Sequence, residues 1–146
     1  MTARRAVSDD KQVLVVDDET ELVRGISLRL AAAGFETCAA GDGDRAIATA
    51  VQIRPDAIVL DVRMPGRDGL SVLDELRRKD ATHDIPVVML SASLVDRQRA
   101  LDAGARFFLS KPYDGKQLVA AVTAAIENPE PAEETRECLE THPVRR

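Results

Sequence analysis

The sequence predicts an α/β fold, a parallel sheet with helices on both faces, and three observations carry that expectation. Short β-branched or apolar runs alternate with segments of helical length along most of the chain, and strict alternation makes successive strands parallel because each crossover helix returns the chain to the same edge. The runs are continuously apolar, as in Val13-Leu14-Val15-Val16 and Ala57-Ile58-Val59-Leu60, the pattern of strands covered on both sides. Glycine and proline punctuate the alternation: Gly34 sits at a helix C-cap position, and Pro55 and Pro86 stand immediately before strands, where a helix cannot continue.

The strands are expected at residues 13–16, 35–39, 57–60, 87–90 and 107–109. Helical spacing follows each of the first three in Leu22/Ile26/Leu30, Ile47/Ala50/Val51 and Leu70/Leu73/Leu76, and follows the fifth in Leu118/Val122/Ile126. Residues 94–103 have a weaker apolar stripe, interrupted by Arg97, Gln98 and Arg99, and read as a helix with a more exposed face. Gly41-Asp42-Gly43 has two glycines of a phosphate-binding loop but not the third, and reads better as a turn with Asp42 or Asp44 near a helix start. From Asn128 the chain turns Pro- and Glu-rich. Three segments result: a polar extension at 1–10, one folded domain at 11–127, and a tail at 128–146 expected to be disordered, with Leu139 almost the only apolar anchor for a helix at 133–140.

Composition narrows the function. Apolar residues make up 45% of the 146, enough for a globular core, but aromatics only 3%, so the core must be aliphatic. Twenty-five acidic against 20 basic side chains give a net charge of −5, which argues against a partner such as nucleic acid, bound by neutralising phosphates. No run is long enough to span a bilayer, and the N-terminus has no signal-peptide core. Cys38 and Cys138 are far apart with no partners at metal spacing, as in a reducing cytoplasm. His83 and His142 likewise lack neighbours at ligand spacing.

In parallel sheets ligands bind beyond the carboxyl ends of the strands. The first strand runs into Asp17-Asp18-Glu19, the third into Asp61, the fourth into Ser91-Ala92-Ser93 and the fifth into Ser110-Lys111-Pro112. Singly, such residues are more often caps, turn formers or solvated charges. Brought to one rim they become a carboxylate cluster with a hydroxyl and an ammonium beside it. Crowded carboxylates repel unless protonated or bridged by a cation, and hard oxygen ligands that leave room for water suit Mg²⁺. Phosphoryl transfer needs positioning and charge neutralisation above all. Asp61 can serve as nucleophile, Asp18 and Asp61 as metal ligands with Asp17 assisting, Lys111 as a neutralising point charge and Ser91 as a hydrogen-bond donor.

The ordered set Val13-Leu-Val-Val-Asp-Asp-Glu19, Ala57-Ile-Val-Leu-Asp-Val-Arg-Met-Pro-Gly-Arg-Asp-Gly69, Val87-Val-Met-Leu-Ser-Ala92 and Leu109-Ser-Lys-Pro112 resembles the receiver domains of two-component response regulators. The resemblance implies a doubly wound, five-stranded sheet in the order 2-1-3-4-5. It implies Asp61 as acceptor of a phosphoryl group from a phosphohistidine of a sensor histidine kinase or phosphotransfer protein. It also implies Mg²⁺ held by Asp18, Asp61 and the backbone carbonyl of Arg63 with Asp17 assisting, and a cis bond between Lys111 and Pro112. The family's switch maps onto Ser91, drawn toward phosphorylated Asp61, and Phe108, whose ring enters the space Ser91 vacates. Output would pass through the face of the fourth helix, fifth strand and fifth helix, where Arg97, Arg106 and Lys116 are expected, to a downstream protein; a homodimer is left open. Such a chain hydrolyses its own acyl phosphate slowly and is no turnover enzyme. Fewer than twenty residues follow Glu127, too few for an output domain within this sequence. Two other classes fit the sequence less well. A haloacid-dehalogenase-type phosphohydrolase needs a second Asp two residues after the nucleophile, where Arg63 stands. A phosphorylation-independent pseudo-receiver sits poorly with the intact Asp17, Asp18, Asp61, Ser91 and Lys111. Arg63 itself is expected either to flank the acyl phosphate and tune its lifetime or to be solvated.

Overall fold

A computed structural model describes residues 11–128; the extension at 1–10, and residues 129–146 of the tail with Cys138 and His142, lie outside the described residues. Five strands, β1 (Gln12–Val16), β2 (Glu36–Ala40), β3 (Ala57–Asp61), β4 (Val87–Ser91) and β5 (Phe107–Ser110), alternate with five helices. These are α1 (Thr20–Ala32), α2 (Gly43–Ile53), α3 (Gly69–Arg78), α4 (Val95–Asp102) and α5 (Gly115–Glu127). All strand pairs are parallel, in the order β2-β1-β3-β4-β5.

The continuous apolar runs are explained by two cores, one on each face of the sheet. Leu14, Val16, Ile58, Leu60, Val87 and Met89 join Ala46, Ile47 and Ala50 of α2, Val72, Leu73 and Leu76 of α3 and Ala100 of α4 on one face. The alternate residues Val13, Val15, Ala57, Val59, Val88 and Leu90 join Ile26 and Leu30 of α1 and Leu118, Ala121, Val122 and Ala125 of α5 on the other. Two residues of the expected stripes, Leu22 and Val51, are exposed instead. Ala46 takes the core position that Val51 was expected to hold, so the buried face of α2 lies one step back along the helix.

Helix ends follow the chemistry of their residues. Asp42, Asp68 and Asp114 cap α2, α3 and α5 by accepting the backbone N–H three residues on, and Asp114 completes a capping box with Gln117. After α1, Gly34 adopts φ 100°, its N–H bonds the Ala31 carbonyl, and the Phe35 N–H reaches Leu30. Gly104 repeats this arrangement after α4. Because Phe35 belongs to that cap, β2 starts at Glu36, one residue later than its apolar character indicates. Residue 54 ends α2 in the left-handed region at φ 47° although it is arginine. No described helix is long and apolar enough to cross a membrane.

Candidate functional site

Parallel pairing brings the carboxyl ends of the strands to one rim. Asp17 follows β1, Asp61 and Ser91 are the last residues of β3 and β4, and Lys111 follows β5. Asp17 and Asp61 are each 3% exposed and Ser91 1%. A cis peptide precedes Pro112, as the resemblance implies.

Asp61 is held from two sides. Its Oδ1 accepts from Lys111 Nζ at 2.5 Å and its Oδ2 from the Arg63 backbone N–H at 2.9 Å. The loop after β3 turns sharply to allow this. Gly69 N–H donates to the Val62 carbonyl at 2.8 Å, and a Cβ on Gly69 would lie 2.2 Å from the Asp61 carbonyl oxygen, so only glycine lets α3 start against the strand end. Arg67 ties the same loop to α2 and α3 through Asp44, Ser71 and Glu75.

Asp17 is the electrostatic focus. Its Oδ1 accepts from the Glu19 N–H at 3.1 Å, but its buried Oδ2 has no hydrogen-bond partner among the described residues. Burial, with the Asp61 charge adding to it, pushes the Asp17 carboxyl up from 3.8 to about 6 despite the Glu19 hydrogen bond and nearby Lys111. For Lys111 burial opposes the charge, yet the hydrogen bond and charge of Asp61, with Asp17 behind it, raise its pKa overall. A buried oxygen without a donor, beside a second carboxylate, is where a cation gains most. The oxygens at hand are those of the buried Asp17 and Asp61 carboxylates, a hard set that fits Mg²⁺ with part of its water shell. Asp18 is exposed at the rim. Among the described residues no three carboxylate, imidazole or thiol groups are gathered as a preformed metal site.

Two side chains at the rim turn to a partner the sequence did not single out. Ser91 donates its hydroxyl to Asp96 Oδ2 at 2.7 Å and accepts from the Ser93 N–H at 3.0 Å, with Asp61 unphosphorylated. Arg63 neither flanks Asp61 with its guanidinium nor floats free, but pairs with Asp96 through Nε and Nη2 at 3.1 and 3.2 Å. Asp96 was not legible as a site residue in the sequence. An acid in the first turn of a helix is ordinarily a dipole partner, and its complete burial is set by how α4 packs. Phe108 is buried in the core cluster with Met89 and Ala100; a phenyl ring needs no hydrogen-bond partner inside. Phe107 is half-buried on the opposite face, under the Arg106 guanidinium at 4.3 Å. Cys38 is a half-buried thiol of β2 packed against the core, and His83 is exposed.

The family model described as response regulator receiver domain matches residues 13–123. The transcriptional regulatory protein PrrA of Mycobacterium tuberculosis is 45% identical over 117 residues, 79% of this chain and 49% of that protein. The chain thus spans about half the length of the curated relatives it matches. The chemotaxis response regulator CheY4 of Vibrio cholerae is similar in structure with a TM-score of 0.73 at 30% identity, over 78% of this chain and 97% of that one. The receiver domain of the sensor histidine kinase PA1611 from Pseudomonas aeruginosa, with magnesium coordinated in its active site cleft, gives 0.75 at 29% identity, over 81% and 98%.

Proposed function

The chain belongs to the response-regulator receiver-domain family of two-component signalling, and on that footing we propose that Asp61 takes a phosphoryl group from a phosphohistidine of a sensor kinase or phosphotransfer protein. The observation that carries this reading is the buried Asp61 carboxylate at the end of β3, fixed by Lys111 and the Arg63 N–H, with the buried Asp17 carboxylate near enough to feel its charge. A carboxylate oxygen of Asp61 attacks phosphorus, the aspartyl O–P bond forms, the P–N bond to imidazole breaks, and its electron pair leaves with the histidine. Lys111 neutralises charge on the transferred group, and Ser91 donates to one of its oxygens once it turns from Asp96. Mg²⁺, held by Asp17, Asp18, Asp61 and the Arg63 carbonyl, supplies further neutralisation when bound.

The receiver unit in this reading is residues 11–127. Its output is a change in contacts on the α4-β5-α5 face, to which Arg97, Arg106 and Lys116 contribute and in which Phe108 transmits the movement of Ser91. The partner there is a downstream protein or a second copy of the chain. Incubation with acetyl phosphate and Mg²⁺ tests the reading by intact mass. Wild type should gain one phosphoryl group and Asp61→Asn none; a wild type that gains nothing, or a variant that gains as much, would refute it and leave a phosphorylation-independent interaction module.

A further inference from the structure

We infer that Asp96 is a positioning residue of this site: it holds the Ser91 hydroxyl and the Arg63 guanidinium away from Asp61, and so competes with a phosphoryl group for both donors. The inference rests on Asp61 being the phosphoacceptor.

Asp96 is wholly buried at the start of α4, with 0% exposure. A carboxylate there must be paired and hydrogen-bonded to be tolerated. It recruits Ser91 Oγ at 2.7 Å and Arg63 Nε at 3.1 Å on Oδ2, and Arg63 Nη2 at 3.2 Å on Oδ1, with Arg99 Nη1 at 3.5 Å from Oδ1. A serine hydroxyl has one proton to donate. While that proton points at Asp96 it cannot serve an oxygen on Asp61, and the Ser93 N–H already occupies the hydroxyl oxygen.

Arg63 is divided between the two carboxylates in the same way. Its backbone N–H lies 2.9 Å from Asp61 Oδ2 while its guanidinium, on a side chain 64% exposed, lies on Asp96. That exposure leaves it free to swing, and a phosphoryl group on Asp61 adds charge and three strong acceptor oxygens nearby. Each donor that crosses to the phosphoryl group leaves Asp96 with fewer partners, and Arg99 remains as its nearest cation. Asp96 belongs to the first turn of α4, next to the exposed Leu94 and Val95. The contest for two donors therefore couples occupancy of Asp61 to the beginning of α4.

The test uses acetyl phosphate and Mg²⁺ with the full chain. Asp61 oxygen attacks phosphorus, the P–O bond to the acetyl group breaks, and acetate leaves with its electron pair; intact mass gives the steady-state phosphorylated fraction. Asp96→Asn keeps the volume and removes the charge. It should raise the ratio of phosphorylated to unphosphorylated protein about 5-fold, the low end of coupling between sites. The gain should shrink in a Ser91→Ala background and vanish in Ser91→Ala/Arg63→Ala, which a general effect on packing would not produce. An Asp96→Asn ratio equal to wild type, or a gain that survives the double background, overturns the inference alone; a wild type that gains no mass overturns it together with the reading of Asp61. Should Asp96→Asn lose its cooperative thermal transition, the wild-type protein supplies a second measurement. The Ser93 amide bonds the Ser91 hydroxyl oxygen, so its resonance must move on phosphorylation, and one that stays in place refutes the competition.

Discussion

Replacing Asp17 by asparagine should stabilise the metal-free protein at high pH and do little at low pH. The native Asp17 carboxyl is harder to ionise than the unfolded one, about 6 against 3.8. The native state therefore holds this proton more tightly. Its contribution to stability is complete below the unfolded value, declines as pH rises between the two, and is lost above the native one. The gap corresponds to about 3 kcal/mol at most, and solvent screening near the rim reduces it to about 1–3 kcal/mol. Asparagine carries no charge to desolvate and offers a donor where Oδ2 has none to meet. Urea unfolding in EDTA at pH 8 should show Asp17→Asn more stable by about 1–3 kcal/mol, or a Tm higher by about 4–12 °C. At pH 4.5 most of the difference should be gone. Adding Mg²⁺ at pH 8 should narrow it again, because the ion stabilises the wild type more. A variant less stable than wild type at pH 8, or an advantage independent of pH, would refute the assignment of a burial cost to this carboxylate's charge.

Two further substitutions probe the backbone around the site. Gly69→Ala forces a Cβ to within 2.2 Å of the Asp61 carbonyl oxygen, so it should lose about 1–3 kcal/mol in urea unfolding and slow mass gain at Asp61 by acetyl phosphate; wild-type values for both would show that the contact relaxes freely. Arg54→Gly should raise stability by about 0.5–1 kcal/mol, because relief of a left-handed L-residue exceeds the loss of an exposed ion pair with Asp84 at 3.7 Å; an unchanged or lower urea midpoint would contradict this.

How far the site was legible follows from the range of the interactions that build it. Asp17, Asp61, Ser91 and Lys111 could be placed together from sequence because each directly ends or follows a strand, and parallel order alone sends strand ends to one rim. Asp42 or Asp44 could be placed near a helix start because a cap bonds only three residues ahead, and the structure makes Asp42 the cap. Where an apolar strand start met a helix cap, at Phe35, local character pointed to a strand while the Gly34 turn claimed the residue.

Side-chain direction obeys no such local rule. The sequence by itself determined the sheet, its two buried faces and the residues at its rim, because alternation, apolar runs and glycine or proline breaks act within a few positions along the chain. Only the tertiary structure decided that Ser91 and Arg63 face Asp96, and that Asp17 keeps a buried oxygen without a donor. Arg63 and Asp96 are separated by 33 positions. Whether their charges meet, and whether water reaches them, depends on where α4 settles on the sheet. Burial and pairing are properties of packed surroundings, and a residue's identity fixes neither.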